Sequence, residues 1–477
     1  MKRTFSVCWL FYAFLGLLVW LPIPLGSNRP WAWSLMEAWV FVLGALWLWG
    51  YIRGSGIGDR GTESGEQAFV LTPVFLKAKP VLILFAVWLG YLLLQMVPLP
   101  VGLVSLISPE AGRMHGLVDG MGNGSGWVTL SVAPHASAVF WLQTLAYVVI
   151  FCLMLLLVRS RRRLQLLAYT LVYAGLVQAL YAATMHLAGV EYVLFIKKYV
   201  NIGHATGTFI NRNHLSFYLV MCLSVGIGLL IAQLGGSGAS TWRQRLRSFI
   251  HLLFSAKMRL RLYLAVMVVA LVLTHSRMGN TAFFASLMIA GAIGLALSRH
   301  ATRSTMILLA SLIIIDIFIV GTWFGVDKVA KRLSETTFAA SSRDEVNVYG
   351  LEQLGDYPGV GSGTGSFYPV FPRYRQEDVG GFYDHAHNEY LEFATDTGIL
   401  GLGILGLAVI YTLAISIIAQ YRRRDPLMRG MSFAAIMGIM AMLIHSGVEF
   451  VLHIPVNAVM VMVLMGLGWI SAFGDRR

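Results

Sequence analysis

Residues 383–424 read YDHAHNEYLEFATDTGILGLGILGLAVIYTLAISIIAQYRRR. The segment opens on histidines, an asparagine and carboxylates. It then runs from Gly398 to Gln420 without a charge and stops at three arginines. A helix rises about 1.5 Å per residue, so this apolar run is long enough to cross a hydrocarbon core of roughly 30 Å. A barrel strand would be short and would alternate apolar with polar residues, and this run does neither. The reading is a membrane-crossing helix over 390–420 whose first turns stand outside the bilayer.

The rest of the chain repeats that pattern. Of 477 residues, 57% are hydrophobic and 12% charged, where soluble domains average about 25% charged. The mean hydropathy is +0.70. Apolar runs predict twelve spans at 5–24, 31–52, 80–97, 136–158, 164–187, 214–233, 259–275, 278–298, 304–323, 390–420, 430–448 and 454–473. The fold class is therefore all-α, a polytopic membrane protein of about twelve transmembrane helices with a large external loop between spans 9 and 10. The opening MKR followed by an apolar run imitates a signal peptide, but no small-x-small cleavage site follows LPIPLG, and the segment reads as a retained span. Cys8, Cys152 and Cys222 all fall in apolar spans and suit packing, not a disulfide frame or a metal site.

The formal net charge of +13 is distributed by topology. With the N-terminus in the cytoplasm, two thirds of the 36 lysines and arginines fall at MKR, the 53–79 and 243–261 loops, RSRRR, SRHATR, YRRRDPLMR and the final DRR. This is the positive-inside asymmetry, and it places both termini in the cytoplasm. Nucleic-acid binding is not needed to explain the charge. Three long loops, 98–135, 188–213 and 324–389, then face outward, away from cytoplasmic nucleotides. Chemistry there needs a donor that arrives already activated, most simply on a membrane-anchored lipid. The domains follow as 1–200 (N-terminal helices), 201–323 (central helices), 324–389 (catalytic loop) and 390–477 (C-terminal helices).

Few basic residues face outward. Arg277 stands in THSRMGNT at a tight external turn, against the inside bias. Arg212, in TFINRNHLSFYL, joins Asn211, Asn213 and His214 where a loop enters a span, and helix N-termini favour anions. Arg343, in SSRDEV, opens a loop helix whose Val346, Leu351 and Leu354 approximate one face. Competing readings are a snorkelling arginine, an ordinary N-cap and a surface ion pair with Asp344 or Glu345. Together the three suggest an anion site, since guanidinium forks match phosphate oxygens and a diphosphate leaving group needs preorganised cations. His387 is the candidate general base, oriented by Asp384, His385 or Glu389; a purely structural interfacial histidine is the alternative. His385-x-His387 with Glu389 imitates half a zinc site, yet no second ligand pair accompanies it, so no metal is expected. GVGSGTGSF (359–367) lacks the helix a nucleotide motif needs, because Pro369 and Pro372 follow, and it reads as a flexible, turn-rich loop, with a lid over a site as the alternative. Asp316 lies near mid-bilayer, and Glu449, between His445 and His453, could line the same cavity as His387.

Read in order, GTFINRNHLSFYL, SRMGN, DYPGVGSGTGSF, HNEYLEFATDTGILGLG and HSGVEFVLHIPVNA resemble the O-antigen ligase and O-antigen polymerase superfamily of bacterial inner-membrane glycosyltransferases. The resemblance covers about 200–470. It implies a cofactor-free, metal-independent transfer of a glycan from undecaprenyl diphosphate, at the periplasmic face, to a glycan or lipid A-core acceptor. It carries the catalytic histidine onto His387 and the diphosphate-binding arginines onto Arg277, Arg343 and, less closely, Arg212. His214, His385, Asn388 and Glu389 stand beside them as supporting residues. Expected partners include membrane lipids, a chain-length regulator and a flippase. Polymerase and ligase remain open, as do a protein O-oligosaccharyltransferase and, from another class, a secondary transporter with a midplane site.

Overall fold

The computed structural model describes residues 7–55, 69–119, 126–233, 256–297, 337–377, 379 and 383–474. Twelve long helices are labelled in chain order. They are α1 (Val7–Trp20), α2 (Pro30–Ser55), α3 (Lys79–Leu94), α4 (Pro134–Leu157), α5 (Arg161–Leu187) and α6 (Arg212–Ala232). Then come α7 (Ala256–Leu273), α8 (Arg277–Ala296), α9 (Thr337–Asp356), α10 (Glu389–Arg422), α11 (Pro426–His445) and α12 (Pro455–Phe473). The only strands among the described residues form two short antiparallel pairs, Leu99–Pro100 with Trp127–Val128 and, as a hairpin, Tyr192–Val193 with Ile196–Lys197.

Each expected span within the described residues is a helix. The ninth, 304–323, with Asp316, lies outside them. Among the described residues eight helices are long and apolar enough to cross a membrane by length and composition; α1 and α3 are shorter apolar helices. This is a helical membrane protein.

The centre of the bundle is α6, buried continuously from His214 to Leu230. Burial all round suits a helix surrounded by other helices rather than lipid. Small residues set the crossings, as is usual where apolar burial alone cannot drive association. A Cβ on Gly228 would sit 2.3 Å from the Gly430 carbonyl oxygen of α11, so those backbones touch. Gly279 of α8 meets the Ser216 hydroxyl of α6, with a hypothetical Cβ at 2.2 Å. That contact joins the first turns of α6 and α8.

The GVGSGTGSF stretch is not the loose loop its composition suggests. Ser362, Thr364 and Ser366 are fully buried, while Gly361, Gly363 and Gly365 take φ of 76°, 111° and 72°. The alternation turns each hydroxyl inward. Gln95 Nε2 donates to the Val360 carbonyl at 2.7 Å, and Asp396 Oδ2 accepts from the Gly365 N–H at 2.6 Å. The strap fills a break in α10. Gly398 has φ 66° and ψ 177°, and the amides that lose helical partners there donate instead to Pro358 O (Ile399, 3.0 Å) and Gly359 O (Leu400, 3.4 Å). The kink divides the polar start of α10 from its apolar remainder. On α9 the buried side is Val346, Tyr349 and Gln353; Leu351 points outward, correcting the face expected from sequence.

Candidate active site

Three helices begin at the same end of the bundle on polar N-caps. Asn211 caps α6, its side chain accepting from the Asn213 N–H; Ser276 caps α8, accepting from Gly279 N–H; Asn388 caps α10, accepting from Leu391 N–H. Short oxygen-bearing side chains satisfy the orphan amides of a first turn. Arg212 and Arg277 are thereby the first residues of two helices whose first turns touch. Both sit at the positive end of a helix dipole. Arg277 is exposed and Arg212 half-buried. Arg343 lies on α9, and its side chain is outside the described set.

The residue before two of those caps is a histidine in left-handed backbone, His275 at φ 51° and His387 at φ 52°. Non-glycine residues rarely adopt that conformation, and it clusters at functional sites. There His275 meets His204 and His186, and His387 meets Glu449 and Phe450. His387 Nδ1 lies 3.2 Å from Glu449 Oε2, and Asn213 Nδ2 donates to Glu449 Oε1 at 2.5 Å. A carboxylate only accepts, so Nδ1 is the donor, and in the neutral ring the lone pair lies on Nε2. Glu449, almost fully buried, therefore orients the imidazole. Asp384 is exposed, while His385 and Glu389 are engaged elsewhere, so none of the three expected partners takes this place.

Asn213 adjoins Arg212, whose Nη1 donates to His204 Nε2 at 2.6 Å. The His204 proton then sits on Nδ1, 3.2 Å from His275 Nδ1. Burial and the neighbouring Arg212 and His275 hold His204 down to about 4, so it stays neutral and accepts from the guanidinium. A continuous run of contacts thus leads from His387 through Glu449 and Asn213 to Arg212, His204 and His275, two residues from Arg277.

Phe450 is the packing hub. His387 meets its ring edge-on at 4.8 Å, His385 stacks on it at 4.3 Å, and His214 meets it at 4.8 Å. His214 Nε2 is buried without a hydrogen bond. Phe450 and Glu449 carried weak sequence signals. A carboxylate and an aromatic ring beside His445 and His453 show only that something polar meets the end of a span.

A second network lies behind. His385 Nδ1 donates to Glu392 Oε1 at 2.6 Å, and the Ala386 N–H to Glu392 Oε2 at 2.8 Å. His453 Nε2 lies 3.2 Å from Glu392 Oε1, and its Nδ1 3.6 Å from Glu389 Oε1. Burial works against the charged ring, but Glu392 and Glu389 outweigh it and raise His453 to about 9. Glu389 also accepts from Ser446 Oγ at 3.1 Å and from the Leu452 N–H. Ligand atoms of His385, Glu392 and His453 all lie within 4.8 Å of one another, so these three are the residues that could hold a metal. Both Glu392 oxygens accept hydrogen bonds, from His385 and from the Ala386 N–H, and with Glu389 the four side chains form a hydrogen-bonded network of histidines and carboxylates. It also differs from the half-site suggested by His385, His387 and Glu389, which the structure sends to three different partners.

A cavity of about 320 Å³, walled mainly by Trp88, Phe140, Tyr147, Phe393 and Met462, reaches up to Glu389 and His453. Its lining is mostly apolar, with Gln143 and Thr144 among the walls and Glu389, Ser446 and His453 at this end.

Comparison with curated proteins finds no match. Residues 262–406, which include Arg277, Arg343, the glycine strap and His387, match the family described as O-antigen ligase, and this match supports the resemblance to the O-antigen ligase and polymerase superfamily.

Proposed function

We propose that the protein moves a glycan from an undecaprenyl-diphosphate carrier to an acceptor hydroxyl, without metal, at the periplasmic face of the bacterial inner membrane. The twelve-span topology with both termini in the cytoplasm belongs to this reading and rests on the charge asymmetry. The observation that carries it is the His387–Glu449 pair beside Arg212 and Arg277, which combines an oriented base with an anion site.

In the proposed reaction the acceptor oxygen attacks the anomeric carbon as the carbon–oxygen bond to the diphosphate breaks. The hydroxyl proton passes to His387 Nε2, and Glu449 stabilises the imidazolium that forms. The leaving electron pair stays on the lipid diphosphate, where Arg212, Arg277 and Arg343 balance its growing charge, the task a divalent cation performs in other phosphoryl sites. Single displacement inverts the anomeric centre. The apolar cavity below Glu389 suits a lipid chain of donor or acceptor. Polymerase and ligase share this donor chemistry and differ in the acceptor alone.

The test is purified protein with lipid-diphosphate glycan, candidate acceptors and EDTA. Transfer is expected, and His387→Ala is expected to insert normally and transfer nothing. Normal transfer by that variant, or a strict requirement for added metal, overturns the reading.

A further inference from the structure

Beyond α5 the chain folds back on itself. The Val190 N–H donates to Met185 O at 2.9 Å and the Gly189 N–H to His186 O at 3.1 Å, with Gly189 at φ 66°. This is the Schellman pattern, in which a left-handed glycine ends a helix and reverses the chain. The hairpin that follows pairs Tyr192 with Lys197 and Val193 with Ile196, leaving Leu194 and Phe195 at the tip.

The tip does not point away from the bundle. The Leu194 N–H donates to the Tyr181 hydroxyl at 2.9 Å. Tyr181 lies six residues before the end of α5, roughly 9 Å back along the helix at 1.5 Å per residue. The hairpin therefore hangs alongside the last turns of a membrane-crossing helix.

Its surface is apolar and uncovered. Phe195 is 97% exposed, Tyr199 82% and Ile202 61%, with Ile196 and Val200 about half exposed. This face continues a stripe on α5, where Tyr173, Val177, Leu180 and Leu187 are also exposed at helical spacing. That stripe faces lipid if α5 spans the bilayer, and the hairpin extends it. An open two-stranded edge cannot lie in the hydrocarbon core, because its backbone groups would lack partners. Tyrosines and an exposed lysine, here Tyr192, Tyr199 and Lys197, belong instead at headgroup depth.

We infer that the 190–202 hairpin is an interfacial wedge, embedded in the lipid leaflet at the site end of the bundle. Its inner end is tied to the anion site. Lys198 Nζ donates to the His204 carbonyl at 2.9 Å and pairs with Glu191 at 3.2 Å, and Glu191 also accepts from the Gly203 N–H at 2.8 Å. His204 in turn accepts from Arg212. The wedge therefore stands where a phosphorylated lipid headgroup passes from the leaflet to Arg212. The inference concerns lipid contact and holds whether or not glycan transfer is the reaction.

The test places the photo-crosslinking residue p-benzoylphenylalanine at Phe195 in the otherwise unchanged full chain. The protein is reconstituted in phosphatidylethanolamine–phosphatidylglycerol vesicles, irradiated and examined by mass spectrometry. The same residue at the exposed Glu352 of α9 is the control. A lipid adduct at 195 several-fold above that at 352 is expected. Equal adducts at both positions, or a crosslink from 195 to a second copy or another protein, overturn the inference. A second measurement needs no unnatural residue: hydrogen exchange at 192–200 is expected to slow several-fold from detergent-depleted amphipol to vesicles, and unchanged exchange also overturns it.

Discussion

Replacing Glu449 by Gln tests the site most directly. The carboxylate takes two donors at once, His387 Nδ1–H at 3.2 Å on one oxygen and Asn213 Nδ2 at 2.5 Å on the other. Glutamine offers one acceptor and one N–H₂ group. If its oxygen keeps Asn213, its amide faces His387 Nδ1 and forces the imidazole proton onto Nε2, the atom that receives the acceptor's proton in the proposed reaction. If the amide flips, the introduced N–H₂ group and that of Asn213 oppose each other donor to donor, and the first turn of α6 shifts beside Arg212. In the first case the full benefit of a general base is lost, about 10²–10⁴ in rate. That corresponds to roughly 2.7–5.4 kcal/mol of barrier at 1.36 kcal/mol per tenfold. The side chain is isosteric, so folding is expected to survive. The assay is turnover of lipid-diphosphate glycan, with kcat and KM separated. The expected result is a large loss in kcat with donor KM little changed, because the arginines are untouched. His387→Ala and the double variant are expected to be equally inactive, since the two residues act as one unit. Wild-type kcat in Glu449→Gln, or a further drop of similar size in the double variant, would refute the reasoning.

Other consequences follow from the same geometry. Arg277→Lys and Arg212→Lys keep the charge but lose the planar fork; each is expected to lower kcat/KM for the lipid-diphosphate donor by about 10–100-fold, with acceptor KM unchanged, as losing one charged hydrogen bond implies. Gly398→Ala places a Cβ 2.0 Å from the Gly359 carbonyl oxygen at a φ of 66°; a loss of at least ~1–3 kcal/mol is expected, seen as a lower unfolding temperature in detergent, and unchanged unfolding would count against a rigid strap. His453 is held at about 9 against an ordinary 6.5. A raised folded-state value stabilises fully below 6.5 and is lost as pH rises through about 9, so unfolding temperature is expected to fall across that window, and His453→Ala to remove the dependence.

Some of the site was legible because it depends on near neighbours. An N-cap lies within three residues of the amide it satisfies, so the N-cap reading of the Asn211–His214 stretch was open to local inspection, and Arg212, Arg277 and His387 could be placed where loops meet spans. The break in α10 was half legible. A polar start to a long apolar helix was evident, but not that the glycine strap of 359–367 would supply the missing acceptors and become rigid in doing so. Composition reports only that glycines permit a turn; whether the turn is loose or buried depends on what packs against it.

The sequence by itself determined that the chain is a bundle of membrane helices, because length without charge and the sidedness of basic residues are local, additive properties. It also placed Arg212, Arg277 and His387 beside the starts of three spans. Only the tertiary structure decided that Glu449 orients His387 across 62 residues and meets Asn213 across 236. The same holds for the ring of Phe450 that gathers three histidines. Those pairings follow from which helix ends meet, and small-residue contacts such as Gly279 on Ser216 and Gly228 on Gly430 decide that. No spacing along the chain encodes it.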